Sequence, residues 1–336
     1  MFAKNKKLRL VIVLFCLLLL SVNFAYAKID LKFTHVLPPQ HPYQAACEKM
    51  KEIVEAKTNG EVTITIYPSA SLAEEPVAIE SLEMGTIDLT TVSAAPVTGF
   101  VKEFMACDLP FLFKTSEEAY KFYDGEIGDE LFKLTEKIGL VGLAWWDNGF
   151  RNFTNNIRPL IKPDDFKGLK IRTMNSPVHM ASVKALGANP VPIDFGELYT
   201  ALQQGVVDGQ ENPVANIYTS RFQEVQKYLT MSRHVYDPSP VFISAKTWGK
   251  LTPEQQQIVK EAAIVARDYM RKITNDEEAG IIEKLKKEGM EVAFLTTEEA
   301  EAFQTATKDV WKDFVNEIGE DFLTKYMTAA REAGKN

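Results

Sequence analysis

Cysteine is scarce in this sequence, with three residues among 336. Cys16 lies in an apolar N-terminal run, which leaves Cys47 and Cys107 in the rest of the chain. Two cysteines are too few for a disulfide scaffold, and neither belongs to a C-x-x-C spacing of the kind that binds a metal. We therefore expect two buried free thiols, because free cysteine packs as a small hydrophobe.

The motifs of common catalytic and cofactor sites are also missing from the sequence. The four histidines form no H-E-x-x-H zinc spacing, and no G-x-S-x-G nucleophile elbow occurs. Neither G-x-x-x-x-G-K nor G-x-G-x-x-G is present, so the sequence lacks a phosphate-binding loop for a nucleotide. We expect no metal, no cofactor and no catalytic residue.

Basic residues are fewer than acidic ones. The first 27 residues hold four of the 38 lysines and arginines and none of the 46 acidic residues, so the remainder has 34 basic against 46 acidic residues, a net charge of −12. A chain of this charge is repelled by nucleic acid and by anionic membrane surfaces, and we expect neither as a partner. It still binds an acidic ligand if a few cations converge in a cleft.

The N-terminus has the pattern of a secretory signal peptide. Basic residues between Lys4 and Arg9 precede an apolar run from Leu10 to Leu20, and Ala25-Tyr26-Ala27 supplies a small-x-small cleavage site. We predict cleavage after Ala27 and a periplasmic mature protein. The apolar run is too short to span a bilayer, and the bulky neighbours of Cys16 do not suit a lipoprotein site.

The mature chain contains an internal repeat. Strand and helix patterns alternate as β-α-β-α-β from residue 31 to residue 92 and again from residue 169 to residue 207. Leu82-x-x-Gly85-x-x-Asp88 recurs as Leu202-x-x-Gly205-x-x-Asp208 at the end of each second helix. The fold class predicted is α/β, with two similar lobes of mostly parallel sheet facing a ligand cleft.

The C-terminal third is predicted to be helical. Thr252-Pro253-Glu254-Gln255 forms a capping box with proline at the first helical position. The apolar spacing continues toward Leu285, which is long for a globular helix. We expect a helix that braces both lobes, or one that kinks near Thr274-Asn275.

Ligands of such sheets bind beyond the carboxyl ends of the strands. Arg172 follows a predicted strand, and its guanidinium matches a carboxylate in a two-point contact, although a structural ion pair is an equal alternative. Arg151 follows the turn pattern Asp147-Asn148-Gly149-Phe150 before a short strand at 152–154, where a solvent-exposed loop arginine is the alternative.

Other residues near predicted strand ends complete a candidate site. Gln210-Glu211-Asn212 follow the third predicted strand of the second lobe at Val206-Val207, and amide groups suit polar ligands. Glu75 and Ser93 are positioned to meet ligand hydroxyls, although Glu75 is equally a first-turn helix acid. Phe195, Trp145 and Trp146 are candidates for apolar walls, with core packing as the alternative for each.

Three segments, Asp147–Arg151, Asp164–Arg172 and Ala201–Pro213, closely resemble the solute-binding subunits of tripartite ATP-independent periplasmic (TRAP) transporters of the C4-dicarboxylate (DctP) type. The resemblance implies a two-lobed protein of the type II-like periplasmic binding protein fold, which closes on a small organic acid and docks onto the membrane permease subunits of a TRAP transporter. A monomer is the default expectation. It implies that Arg172 makes the main carboxylate contact. The other ligand-binding residues that it implies are Arg151, Phe195, Asn212, His234 at the rim and, less firmly, Glu75, Ser93 and His35.

The resemblance also implies lobe boundaries and a range of ligands. Lobe I would span 28–148 and about 237–275, and lobe II 149–236 and about 276–325. Ser93 and Val36 depart from relatives that bind sialic acid. The candidates that stay open are a C4-dicarboxylate, a sugar acid such as a uronate, or a small hydroxy or oxo acid. Arg151 as a second cation favours a ligand with a second acidic or strongly polar end. The alternative functions are a secreted enzyme acting on an organic acid and a sensory binding protein that feeds a receptor.

Overall fold

The structure is a computed structural model that describes residues 28–335. The predicted signal peptide and Cys16 therefore lie outside the described residues. Within them the chain forms nine strands, β1 Ile29–Thr34, β2 Val62–Tyr67, β3 Leu89–Thr91, β4 Leu140–Asn155, β5 Lys170–Thr173, β6 Asn189–Pro192, β7 Gly209–Asn212, β8 Tyr228–Ser244 and β9 Glu291–Phe294.

Thirteen α-helices connect and cover these strands in the described part of the chain. The first six are α1 Pro42–Lys57, α2 Glu75–Met84, α3 Ala94–Val97, α4 Ser116–Tyr123, α5 Glu126–Thr135 and α6 Pro177–Ala185. The other seven are α7 Phe195–Gln203, α8 Val214–Thr219, α9 Ala245–Trp248, α10 Pro253–Lys287, α11 Thr297–Thr307, α12 Val315–Ile318 and α13 Glu320–Ala333.

The strands join in the order β2-β1-β3-β8-β4-β7-β5-β6, with β9 paired to β8. At one end β1 pairs in parallel with β2 and β3, and at the other end β5 pairs in parallel with β6 and β7. The long antiparallel pair of β4 and β8 joins the two parallel groups. The predicted α/β class with mostly parallel sheet is confirmed.

In each parallel group the second helix ends in the same local structure, and this explains the sequence repeat. Gly85 and Gly205 follow the second helix of their group with φ of +75° and +67°, a conformation that glycine adopts without steric cost. The carboxylates of Asp88 and Asp208 then accept the backbone N–H of Lys32 and Lys170 at 2.9 and 2.8 Å. Each aspartate therefore fastens the helix end to the first strand of its group.

Two strand predictions are corrected by the structure. Asp147-Asn148-Gly149-Phe150 is not a turn before a short strand but lies inside β4. The turn-like residues are accommodated by a bulge at Gly149, which has a φ of +105° and lies where the register with β8 shifts. The third strand of the second group is β7, not Val206-Val207. Gln210, Glu211 and Asn212 therefore belong to the strand β7, in which all three residues are buried.

The 35-residue helix α10 continues through Thr274-Asn275 without interruption. Its first half packs Val259, Ala263 and Met270 into the core beneath α1, and its second half packs Ile282 and Leu285 into the core around α7 and α8. The bracing helix is confirmed.

The C-terminal helix packs on the first parallel group. Leu323 and Tyr326 of α13 lie in the same apolar cluster as Phe122 and Tyr123 of α4, and the hydroxyls of Tyr123 and Tyr326 are 2.6 Å apart. The apolar residues of α13 therefore pack against those of α4. The predicted end of the second lobe at about residue 325 stays a prediction.

Cys47 and Cys107 are buried free thiols, as predicted. Among residues 28–335 no helix has the length and apolar character needed to cross a bilayer. No cluster of three or more potential metal ligands occurs in this range either.

Candidate ligand-binding site

A small cavity lies where the two parallel groups of strands face each other. The space between its lining atoms, part of which is open to solvent, is about 270 Å³. The strands β1, β3, β5 and β7 end at or just before it, as expected for parallel sheets. Its lining residues are Val36, Leu37, Tyr43, Glu75, Ser93, Asn148, Arg172, Met174, Phe195, Asn212 and Asn216.

Five of the nine predicted site residues line this cavity, and four lie outside its lining. The five are Arg172, Asn212, Phe195, Glu75 and Ser93. The four are Arg151, His234, His35 and Trp146. Whether the five contact a ligand stays a prediction.

Arg172 is a buried cation, and only part of its hydrogen-bond donors have a partner in the protein. The side chain is 2% exposed, and its Nε donates to the carbonyl oxygen of Ile193 at 2.7 Å. Its Nη1 is buried with no hydrogen-bond partner, and no carboxylate within residues 28–335 forms an ion pair with it. Burial, together with the charge of Arg151, lowers the pKa of Arg172 to about 10, which leaves it charged at neutral pH.

Arg151 is equally buried, but its charge is fully paired. Its guanidinium contacts both carboxylate oxygens of Glu211 and the carbonyl oxygen of the same residue, and Nη1 lies 2.6 Å from Oδ2 of Asp237. Burial opposes the charge of Arg151, but the two carboxylates raise its pKa above the ordinary value. Burial opposes the charge of Glu211 as well, but Arg151, His179 and His234 together outweigh it and lower the pKa of Glu211 below its ordinary value. Arg151 is thus neither a loop arginine nor a spare cation, and the reason for expecting a second acidic end on the ligand disappears.

The other three residues outside the lining belong to the scaffold behind it. His234 stacks on Phe153 with ring centroids 4.1 Å apart, and its Nε2 lies 3.4 Å from Glu211. Burial lowers the pKa of His234. His35 bonds Gln44 at 3.0 Å, and burial lowers its pKa to about 4. Trp146 is a core residue whose Nε1 donates to the carbonyl of Ala263 in α10 at 2.9 Å.

A second wall of the cavity carries a carboxyl group and a hydroxyl group. Glu75, the first residue of α2, accepts the backbone N–H of Ser93 at 2.8 Å. Ser93 Oγ in turn donates to Oδ2 of Asp237 at 3.0 Å, and Asn148 Nδ2 donates to the same oxygen at 2.8 Å. Burial raises the pKa of Glu75 to about 8, so this carboxyl is mostly protonated at pH 7.

A third wall is a chain of buried amide side chains. Asn212 at the end of β7 bonds Gln210 and Asn216, and Asn216 bonds His41 at the start of α1 across the cavity mouth. Sequence reasoning missed Asn216 and His41 as site residues. Asn216 follows Asn212 by four residues, but His41 is 175 residues away from its partner, and nothing local signals that contact.

A model of the DctP family, described as bacterial extracellular solute-binding protein family 7, matches residues 33–318 of this chain. The chain is 35% identical to the 2,3-diketo-L-gulonate-binding periplasmic protein of Escherichia coli strain K12, with 90% of each chain covered. It is 36% identical to the C4-dicarboxylate-binding periplasmic protein DctP of Rhodobacter capsulatus, with 94% of this chain and 95% of that protein covered.

The fold is similar to that of a solved TRAP periplasmic solute-binding protein from Polaromonas sp. JS666 bound to D-erythronate. The TM-score is 0.86 at 39% identity, and the match covers 89% of this chain and 98% of that one.

Proposed function

This chain belongs to family 7 of the bacterial extracellular solute-binding proteins, and we propose that it captures a small organic acid around Arg172 and delivers it unchanged to a TRAP-type membrane permease. The relatives support an acid as ligand, because diketogulonate, C4-dicarboxylates and erythronate are all carboxylates. They differ in size and hydroxylation, so they support the class of ligand and not one compound.

One observation carries the proposal, the unpartnered Nη1 of Arg172 in the cavity. A buried guanidinium without a counter-charge is costly, and a ligand carboxylate supplies both the missing acceptor and the missing charge. Guanidinium and carboxylate match in a paired geometry, which makes this the strong contact of the site. The cavity is closed around the group, so the contact would form in a dry environment where it is strengthened.

An enzyme acting on the same acid would need a general base beside the ligand. His234, the histidine considered for this role, lies behind the lining against Glu211. Glu75 lines the cavity with a raised pKa, which is compatible with acid–base chemistry, but Arg172 and the amide wall carry no nucleophile. This composition supports binding without conversion.

The location and partners follow from the same family. Cleavage after Ala27 would release the protein into the periplasm, and the lobes would close on the acid as a monomer before docking on permease subunits. The predicted lobe boundaries, 28–148 with about 237–275 and 149–236 with about 276–325, belong to this proposal, with the α13 segment placed beside α4. Delivery to a sensory receptor is the alternative, and co-purification with permease subunits in detergent, dependent on the ligand, distinguishes the two.

Calorimetric titration of the mature protein with aldonates, uronates, C4-dicarboxylates and small hydroxy and oxo acids tests the proposal. We expect binding of at least one acid, and mass spectrometry of the ligand recovered after long incubation should show it unaltered. Binding of no acid, together with no acid released when the protein is unfolded, would refute acid capture. Recovery of a converted ligand would instead identify an enzyme.

A further inference from the structure

Hydrogen bonds fix the orientation of the amide wall. His41 Nδ1 lies 3.1 Å from the backbone N–H of Tyr43 and accepts that hydrogen, so this ring nitrogen carries no proton. A neutral imidazole then has its proton on Nε2, which donates to Oδ1 of Asn216 at 2.9 Å. Burial lowers the pKa of His41 to about 3, so the ring is neutral in the physiological range.

The amide orientation that His41 sets at Asn216 also determines the hydrogen-bond directions of the next amides in the wall. Asn216 Nδ2 donates to Oδ1 of Asn212 at 3.2 Å, and Asn212 Nδ2 donates to Oε1 of Gln210 at 2.5 Å. Each amide nitrogen has two hydrogens, and within residues 28–335 the second N–H of Asn212 and of Asn216 forms no hydrogen bond. These two residues and Arg172 form a donor side of the cavity.

Another part of the cavity lining presents an acceptor. Asn148 Nδ2 donates to Oδ2 of Asp237 at 2.8 Å and to Oγ of Ser93 at 3.3 Å. A flipped amide would place Oδ1 against the Asp237 carboxylate, so the observed orientation is chemically required. Asn148 Oδ1 is consequently a buried acceptor without a partner, and it forms the acceptor side. Glu75, one oxygen of which accepts the Ser93 N–H, adds a second acceptor group only where it is ionised, since its pKa is about 8.

We propose that this cavity selects a monocarboxylate bearing hydroxyl groups over a dicarboxylate of the same carbon count, with Asn148 and, when it is ionised, Glu75 as the discriminating residues. The inference rests on the proposed function, since it assumes that the first carboxylate binds on the donor side. A hydroxyl at the other end of the ligand donates to Asn148 Oδ1. A second carboxylate has only acceptors to offer at neutral pH, and it would meet the acceptor Asn148 Oδ1 there.

The charges around the cavity favour the same ligand. Among the lining residues Arg172 is the only cation, and one ligand carboxylate neutralises it. Arg151 is held by Glu211 and Asp237 and has no charge left for a second carboxylate. A dicarboxylate would therefore bury one negative charge without a counter-ion, next to Glu75. A site built to bond a ligand hydroxyl discriminates strongly because the mismatch leaves buried groups unpaired.

Pairs of aldonates and aldarates test this selectivity most directly. Members of a pair share carbon count and hydroxyl configuration, and they differ in whether the last carbon is CH₂OH or carboxylate. Calorimetric titration at pH 7 with four-carbon and six-carbon pairs gives the affinity ratio within each pair. In the pair that binds best, we expect the monocarboxylate to bind at least about 10-fold tighter.

Two variants locate the discrimination. At pH 9, above its pKa of about 8, Glu75 is ionised and repels a second carboxylate, whereas Glu75→Gln keeps the acceptor for Ser93 N–H without the charge. In titrations repeated at pH 9 we therefore expect the ratio of Glu75→Gln to be several-fold smaller than that of the wild type. Glu80→Gln is the matched control, because Glu80 lies on the same helix but is solvent-exposed. Its ratio should equal that of the wild type.

Each outcome has one meaning. An aldarate that binds as tightly as its aldonate, or tighter, overturns the selectivity while acid capture stands. An unchanged ratio in Glu75→Gln removes Glu75 from the discrimination. If Glu75→Gln does not fold, the wild-type ratio alone decides. If no acid of any kind binds and none is released on unfolding, the proposed function fails together with the inference.

Discussion

Arg172 and Arg151 are both buried arginines, and replacing each by methionine should have opposite consequences. Methionine keeps much of the side-chain volume and removes the charge. Arg151 compensates Glu211 and Asp237, which are 0% and 1% exposed. Arg172 forms no ion pair with an acid among residues 28–335 and has an unpartnered Nη1. The first substitution therefore affects the fold, and the second affects the ligand.

The expected magnitudes follow from these partners. Arg172→Met removes the buried partner of the ligand carboxylate, which costs about 2 to 5 kcal/mol of binding free energy, or roughly 30-fold to 5,000-fold in Kd. The free energy of unfolding of the ligand-free protein should be unchanged or higher, because an uncompensated buried charge is removed. Arg151→Met leaves two buried carboxylates without their cation, and the free energy of unfolding should fall by about 3 to 5 kcal/mol.

Two assays separate these effects. Urea unfolding of the ligand-free proteins, followed by tryptophan fluorescence, gives the free energy of unfolding, and calorimetric titration gives Kd for an acid that the wild type binds. The reasoning is refuted if Arg172→Met lowers the stability of the ligand-free protein by several kcal/mol while Kd is retained. It is also refuted if Arg151→Met is as stable as the wild type.

Three further predictions concern the cavity walls and the repeat. The pKa of Glu75 is about 8 in the folded protein against 4.5 as its ordinary value. Between these pH values the unfolded chain loses the proton that the folded protein keeps, so stability falls with rising pH. Glu75→Gln should remove this pH-dependent loss of stability. Urea unfolding between these pH values should show the free energy of unfolding of the variant rising relative to that of the wild type by up to about 1.4 kcal/mol per pH unit. His41→Phe leaves Asn216 Oδ1 without its donor; urea unfolding should show a loss of about 1 to 3 kcal/mol, and His41→Gln should restore part of it. Asp208→Ala should lower the free energy of unfolding by about 1 kcal/mol. Asp88→Ala should lower it by more, because Asp88 also accepts a hydrogen bond from the hydroxyl of Thr247. Equal losses in thermal or urea unfolding would contradict these contacts.

Much of the fold was predictable because its signals are local. The capping box at Thr252 and the paired glycine and aspartate of the repeat depend on neighbours within a few residues, and the structure has them as expected. The long strands β4 and β8 were not predicted. Their pairing joins residues about 90 positions apart, and polar residues at their centre are buried by the two groups of strands, so neither strand shows a simple alternating pattern.

The sequence by itself determined the α/β class, the repeat, the family and the position of Arg172 at a strand end. Only the tertiary structure decided which buried arginine is paired. The partners of Arg151 lie 60 and 86 residues away, and no spacing rule connects them. The same holds for the amide wall, where His41 orients Asn216 from 175 residues away. Hydrogen bonds and ion pairs depend on distance and direction in space, whereas periodicity and helix caps depend on distance along the chain. For this reason the sequence predicted which residue types form the site, but not which of their donors and acceptors are left free for a ligand.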